Sequence, residues 1–258
     1  MNSVITALGV AALTFAGGGV GLILQRTLPE RFTTGGPRDM IGAVVGLITL
    51  LSALVTGLLI WTAYGVYSSQ NLAVQNFAAR VLQEDLALAD YGADAAPGRA
   101  RLREGLARTI DQIWGSRADS DFVSRNYQAA IDNLRTGQAY LDSLHPATES
   151  QKQALAVANQ AHATIGQIRL QMALALTDPI SYPLLAIVTA WVVFLFCGFG
   201  LMSRSNPMAF AALAVGSVAV SSAVYLIVDL SDPYSGLFQT SSAPIERVMK
   251  DVNNHERR

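Results

Sequence analysis

The sequence predicts an all-α integral membrane protein: four transmembrane helices, with a helical soluble domain inserted between the second and third spans. Charged residues make up only 14% of the 258 residues, against about 25% in soluble domains. The missing charge is concentrated in four uncharged windows, each close to the roughly 20 residues that cross a bilayer as a helix. Nothing between these windows alternates with a period of two, so we expect no sheet.

The first two transmembrane helices are predicted within residues 1–67. The first window, residues 4–24, contains Gly17 and Gly21 at a G-x-x-x-G spacing, which lets two membrane helices approach closely. A cleaved signal peptide is the competing interpretation, but no basic region precedes the window, so we expect a retained helix. The second window opens a charge-free and proline-free stretch. It predicts one long helix that spans the membrane at about residues 40–67 and continues into water.

Residues 68–178 form the predicted soluble domain. Charges return there while apolar residues keep a spacing of three and four, the signature of helices with one buried face. Gly92 is placed to end the long helix. Further helices are expected to begin at Pro97, near Ser120 and at Pro146. Their short connections predict an antiparallel arrangement.

The ionisable residues of this domain indicate neither a metal site nor a nucleic-acid site. The net charge of −1 implies no polyanionic partner, and the three histidines lie far apart in the sequence. His162 falls beside an apolar stripe, so we expect it to be packed rather than to bind a metal. Glu104 and Asp111 dilute one basic cluster, which is therefore interpreted as a solvated face. That cluster comprises Arg99, Arg101, Arg103 and Arg108.

The third and fourth transmembrane helices are predicted within residues 179–228, at about 180–202 and 208–228. Small residues crowd the last of these windows, which suits packing against other helices. The tail, residues 229–258, is predicted to form a turn rich in Asp, Pro and Gly and then a short amphipathic helix. Its apolar stripe could lie on a membrane or on the helical domain. The stripe comprises Ile245, Val248, Met249 and Val252.

One candidate functional feature is a weakly polar stripe on the second membrane helix. Its members recur at intervals of three and four residues, so they share a side of the helix. Such a side could line the pore of an oligomer, with hydroxyls near one end and an apolar gate near the other. Alternatively, the hydroxyls bond to their own helix or to a neighbour. The stripe comprises Thr49, Ser52, Thr56, Leu59, Ala63 and Tyr67.

A second candidate is the acidic turn after the fourth window, formed by Asp229, Asp232 and Tyr234. Acidic residues at a membrane boundary are functional candidates. The alternative is a capped turn that returns the chain to the soluble domain, and two carboxylates are too few to define a Ca²⁺ site. No nucleophile–base pair, phosphate-binding loop or dinucleotide fingerprint stands out, so we expect neither an enzyme nor a cofactor.

The tail also carries a family resemblance. The run DLSDPYSGL at residues 229–237, with SSAP at 241–244, resembles the closing motif of the bacterial bestrophin-like domain family. Further motifs of this resemblance are PRD at 37–39, DYG at 90–92, and ARLR at 100–103 ahead of IW at 113–114. Together these motifs cover nearly the whole chain in order.

The resemblance implies a comparison with bestrophins, pentameric anion channels with four spans, a cytosolic helical domain and a pore lined by the second helix. It implies a homo-oligomer in the bilayer of the bacterial inner membrane, permeable to small ions, with its termini and middle domain cytoplasmic. Charge bias alone leaves the orientation open, since the two sides of the membrane carry nearly equal numbers of basic residues. A Phe-rich neck and a dense acidic calcium clasp are not seen in the sequence. The alternative is a non-conducting membrane scaffold or sensor whose soluble helices bind a partner.

Overall fold

The computed structural model describes residues 3–29, 35–115, 122–175, 182–203, 207–234 and 236–255. Within these ranges the chain is helical and contains no strand. The helices are α1 (Ser3–Thr27), α2 (Gly36–Tyr91), α3 (Ala96–Ile110), α4 (Phe122–Asp142), α5 (Glu149–Ala175), α6 (Tyr182–Met202), α7 (Pro207–Leu230) and α8 (Ala243–His255). A 3₁₀ turn precedes α3 and a π-helical turn follows it.

Four helices have the length and apolar composition needed to cross a membrane. They are α1, α2, residues Pro183–Met202 of α6, and α7. The predicted all-α membrane fold is therefore confirmed. The predicted start near Ser120 lies outside the described residues, and the solubility of the inserted domain stays a prediction.

The chain divides into two compact units. The first comprises Met1–Gly65 and Ile180–Ser231, and the second comprises Val66–Pro179 and Asp232–Arg258. Helix α2 contributes its first half to one unit and its second half to the other.

In the first unit, α1 packs against α6 and α7. Glycines make a close approach possible, because a Cβ added at Gly21 would overlap the carbonyl of Cys197. A Cβ added at Gly17 would lie 2.8 Å from the carbonyl oxygen of Val193. The G-x-x-x-G spacing of α1 therefore lies where two helix backbones meet.

The second half of α2 lies at the centre of the second unit and packs against α3, α5 and α8. The tail helix α8 buries its apolar stripe in this core, so the stripe packs within the second unit. The core includes Val74, Phe77, Val81, Leu106, Met172, Ile245, Val248 and Val252. A second cluster includes Leu88, Tyr91, Leu141 and Ala158.

Local signals explain where two of these helices begin or end. Helix α2 ends at Tyr91, and Gly92 adopts a φ of 111°, which only glycine adopts without strain. The prediction that a helix starts at Pro146 is wrong, because α5 starts at Glu149. The side chain of Thr148 accepts a hydrogen bond from the backbone of Gln151, whose own side chain accepts one from the backbone of Thr148. This reciprocal capping sets the helix start.

Candidate functional site

The polar stripe of α2 divides into covered and uncovered residues within one chain. Ser52, Leu59 and Ala63 are all buried, and Thr49 is exposed. Thr56 and Tyr67 are half-buried. The stripe predicted from the sequence therefore lies partly on a packed side of the helix and partly beside it.

The packed side of α2 faces α6. The side chain of Val45 lies against Gly198, and the guanidinium of Arg38 donates a hydrogen bond of 3.2 Å to the carbonyl of Met202. Ser52 follows Val45 by seven residues and so lies on the same side of the helix. Its buried hydroxyl has no hydrogen-bond partner within the part of the chain that the structure describes. Thr49 donates a 2.8 Å hydrogen bond to the carbonyl of Val45 in its own helix.

Beside this packed side, α2 carries an uncovered strip of small residues. They recur at intervals of three and four, and no atom outside the helix backbone lies within 4 Å of a Cβ added at Gly46 or Gly57. The strip, here called the small-residue flank, comprises Gly46, Thr49, Ala53 and Gly57, all exposed. The next side around the helix presents the bulky side chains of Leu47, Leu50, Leu54, Leu58 and Trp61. Helix α2 therefore has one packed side, one exposed side of small residues and one exposed side of bulky apolar residues.

Asp229, in the last turn of α7, is 2% exposed. It accepts a 3.1 Å hydrogen bond from the hydroxyl of Ser3, the first residue of α1. A carboxylate at a helix N-terminus is favourable, because the unpaired backbone N–H groups there carry partial positive charge. In the first unit Asp229 thus joins the end of α7 to the start of α1.

Asp232 and Tyr234 belong to the second unit, where Asp232 is half-buried. The Tyr234 hydroxyl donates a 2.7 Å hydrogen bond to the side chain of Gln70, and its ring stands edge-on to Trp114. The indole of Trp114 in turn donates a 2.7 Å bond to the carbonyl of Thr240. Burial raises the pKa of Tyr234 above its ordinary value, with the charge of Arg169 opposing that rise. These contacts therefore hold the turn after α7 in place within the second unit.

The basic cluster of α3 is only partly solvated. Arg101 and Arg108 are exposed. Arg99, in contrast, forms a bidentate ion pair with Asp85, with N–O distances of 2.8 and 2.9 Å. The prediction of a wholly solvated cluster is therefore wrong for Arg99. A signal for this pair was present in the sequence, because Asp85 interrupts the apolar stripe of α2 between Val81 and Leu88. In the described ranges no group of three or more His, Cys, Asp or Glu side chains could hold a metal ion.

These features define a helical integral membrane protein with four membrane-length helices and an uncovered flank on the second. A family model described as "Bestrophin-like domain" matches residues 12–245. The chain therefore belongs to the bestrophin-like domain family, as the tail motif indicated. This membership suggests a channel-like membrane protein rather than an enzyme. Comparison with curated proteins and with solved structures finds no match.

Proposed function

We propose that this chain is the subunit of a homo-oligomeric ion channel, permeable to anions, whose pore is lined by α2. The observation that carries the proposal is the small-residue flank of α2, which the helices described by the structure leave uncovered. Family membership adds support, since it suggests a channel-like protein. A pore on an oligomer axis needs a surface that each subunit leaves free, and small residues let several copies of a helix come close.

The proposed pore surface is narrower than the stripe read from the sequence. Thr49, Thr56 and Tyr67 retain accessible surface and stay in the proposed lining. Ser52, Leu59 and Ala63 lie behind them, and we assign these three to packing within the subunit.

Anion permeation is proposed from the family comparison, and the lining helix itself is uncharged. Residues 40–79 contain no Asp, Glu, Lys or Arg. Rings of acidic side chains favour cations and repel anions, whereas rings of Arg or Lys favour anions. A lining without either kind of ring neither repels chloride nor attracts it. With the family comparison, we further propose a bacterial inner-membrane location with the second unit and both termini in the cytoplasm.

The direct test is chloride flux from liposomes reconstituted with the purified protein. Thr49→Trp places a bulky ring on the small-residue flank and is expected to lower flux at least about tenfold. Leu54→Trp is the matched control, because Leu54 is exposed on the bulky apolar side of the same helix. It is expected to leave flux within about twofold of wild type. Equal effects of both variants on flux would show that the small-residue flank does not line the pore.

The alternative is a non-conducting scaffold or sensor. The burial of Ser52, Leu59 and Ala63 favours it, because a scaffold is free to cover that side with its own helices. Under this alternative, liposomes that contain folded and oligomeric protein release chloride no faster than empty liposomes do. Neither tryptophan variant would then change the release.

A further inference from the structure

The second half of α2 carries an exposed row of residues on the side opposite its core. The core of the second unit includes Val74 and Phe77 from this half of the helix. Leu72 and Ala79 each stand two residues from one of these, which is about 200° around an α-helix, and both are exposed. The row, here called the α2 seam, comprises Leu72, Gln75, Ala79, Leu82, Leu86 and Ala89. Leu82 is half-buried and the other members are exposed.

The spacing of the α2 seam is that of a helix that packs along another helix. Its members recur at alternating intervals of three and four residues, a period of about 3.5 residues. A straight helix drifts by only about 20° per heptad against this period, so the seam stays on one side over its length of roughly 25 Å. Leu72 is 56% exposed and Leu86 is 42% exposed. Large apolar side chains thus stand at contact spacing on a side that the described helices do not cover.

The α2 seam contains no charged residue, although charges occur beside it. Residues 66–91 contain Arg80, Glu84, Asp85 and Asp90, all outside the seam. Glu84 and Asp85 are buried, whereas Arg80 and Asp90 are exposed. Copies of one chain that share a membrane orientation place their α2 helices parallel, so each seam residue stands at the level of its own counterpart. A charge on the seam would therefore repel its own copy, and an uncharged seam is suited to self-association.

A groove borders the α2 seam on the side of α5. Leu82 and Leu86 of the seam line it together with Ser150, Gln153 and Val157 of α5. Val157 is 39% exposed, and none of these three α5 residues is charged. Depletion of charge distinguishes the centre of a protein interface from the rest of a surface. A helix that packs on the seam can therefore contact the edge of α5 as well.

We propose that the α2 seam is the contact between copies of this chain in the second unit, where it packs in parallel against the same helix of a neighbouring copy. Knobs from one seam would insert between residues of the next, with the edge of α5 flanking the contact. This inference rests on the proposed homo-oligomer and names the surface through which its second units associate. It makes no assumption about conduction.

The first test is disulfide formation in liposomes that contain the full-length protein with Cys197, its single cysteine, replaced by alanine. A disulfide forms only where two Cβ atoms come within about 4.5 Å, and packing of the seam brings its own counterparts close together. Under a mild oxidant, Ala79→Cys and Ala89→Cys should form covalent dimers at least about tenfold faster than Arg80→Cys. Arg80 is the matched control, because it is exposed beside Ala79 but lies about 100° further around the helix.

A second test places a charge on the seam. Ala79→Lys should raise the protein concentration at which the oligomer dissociates in detergent micelles at least about tenfold, since like charges then meet at the contact. Ala107→Lys, at an exposed alanine of α3, should leave that concentration within about twofold of wild type. Light scattering after size-exclusion chromatography measures both. Because both alanines are exposed in helices, neither substitution disturbs the core of a single chain.

Three outcomes overturn the proposal or separate it from the proposed channel. Equal oxidation rates at the seam and at Arg80→Cys overturn it, which is the result expected if lipid or a different protein covers the seam. An unchanged dissociation concentration in Ala79→Lys overturns it too. Chloride flux from wild-type liposomes without seam dimers contradicts the seam alone, whereas seam dimers without flux support the seam and contradict the channel.

Discussion

At the scale of single residues, the second unit depends on buried ionisable side chains whose partners are far away in the sequence. Both ring nitrogens of His162 face acceptors, Oε1 of Glu84 at 3.1 Å and the carbonyl of Leu134 at 3.0 Å. A neutral imidazole donates from one nitrogen only, whereas the imidazolium donates from both. Burial opposes the charged form, but Glu84 and the Leu134 carbonyl together outweigh it and raise the pKa of His162 above 6.5.

This geometry predicts that the protein loses stability as pH rises past neutrality. Because the folded pKa of His162 lies above the unfolded value, its contribution is complete below pH 6.5 and is lost as pH rises through the folded pKa. His162→Gln should flatten this dependence, whereas His145→Gln should not, because His145 is exposed. Thermal unfolding between about pH 6 and about pH 8.5 measures it. A wild-type melting temperature that is constant or rises over this window contradicts the assignment.

The ion pair between Asp85 and Arg99 supports a second prediction at this scale. The Asp85 side chain is 1% exposed and that of Arg99 is 15% exposed, so removing one partner leaves a largely buried charge. Asp85→Asn should lower the free energy of unfolding by about 3 kcal/mol. Glu104→Gln, which breaks the exposed pair between Glu104 and Arg108, should cost less than about 0.5 kcal/mol. Denaturant titration of both variants measures the difference, and equal small costs would show that the buried pair contributes little.

At the scale of whole helices, glycine positions in α1 make a matched pair for testing the packing of the first unit. Gly21→Ala should force α1 away from α6, because the new Cβ overlaps the carbonyl of Cys197. Gly19→Ala should be neutral or stabilising by up to about 1 kcal/mol, since nothing lies within 4 Å of its Cβ. Unfolding in mixed micelles by added SDS compares the two variants. If Gly21→Ala unfolds at the same SDS fraction as Gly19→Ala, the close approach does not hold the helices together.

The helices themselves were largely predictable from the sequence, but their pairings were not. Uncharged windows and the glycine after Tyr91 carry local signals that identify the membrane helices and the end of α2. The contact between Glu84 and His162 joins positions 78 residues apart, and no local pattern names such a partner. The packed side of α2 was equally hidden. A helix that is apolar all round shows no periodic contrast between its sides, so the sequence could not separate Ser52 from Thr49.

At the scale of the whole molecule, the central question is which side of α2 meets water in the assembled protein. A pore along the small-residue flank would hydrate Thr49 and Gly57, while Leu54 on the bulky side would face lipid. Both sides are exposed in a single chain, so burial alone does not separate them. Cysteine chemistry does, because a thiol reacts with charged reagents only as a thiolate in contact with water.

The chain suits this experiment, because Cys197 is its single cysteine and can be replaced by alanine. In that background we expect Thr49→Cys and Gly57→Cys to react with a small charged thiol reagent in liposomes, and the reaction to reduce chloride flux. Leu54→Cys should stay unmodified, because lipid excludes both the charged reagent and the thiolate. Modification without any change in flux would indicate a hydrated but non-conducting surface and favour the scaffold. Modification of Leu54→Cys alone would place water on the bulky side of α2 and contradict the proposed pore.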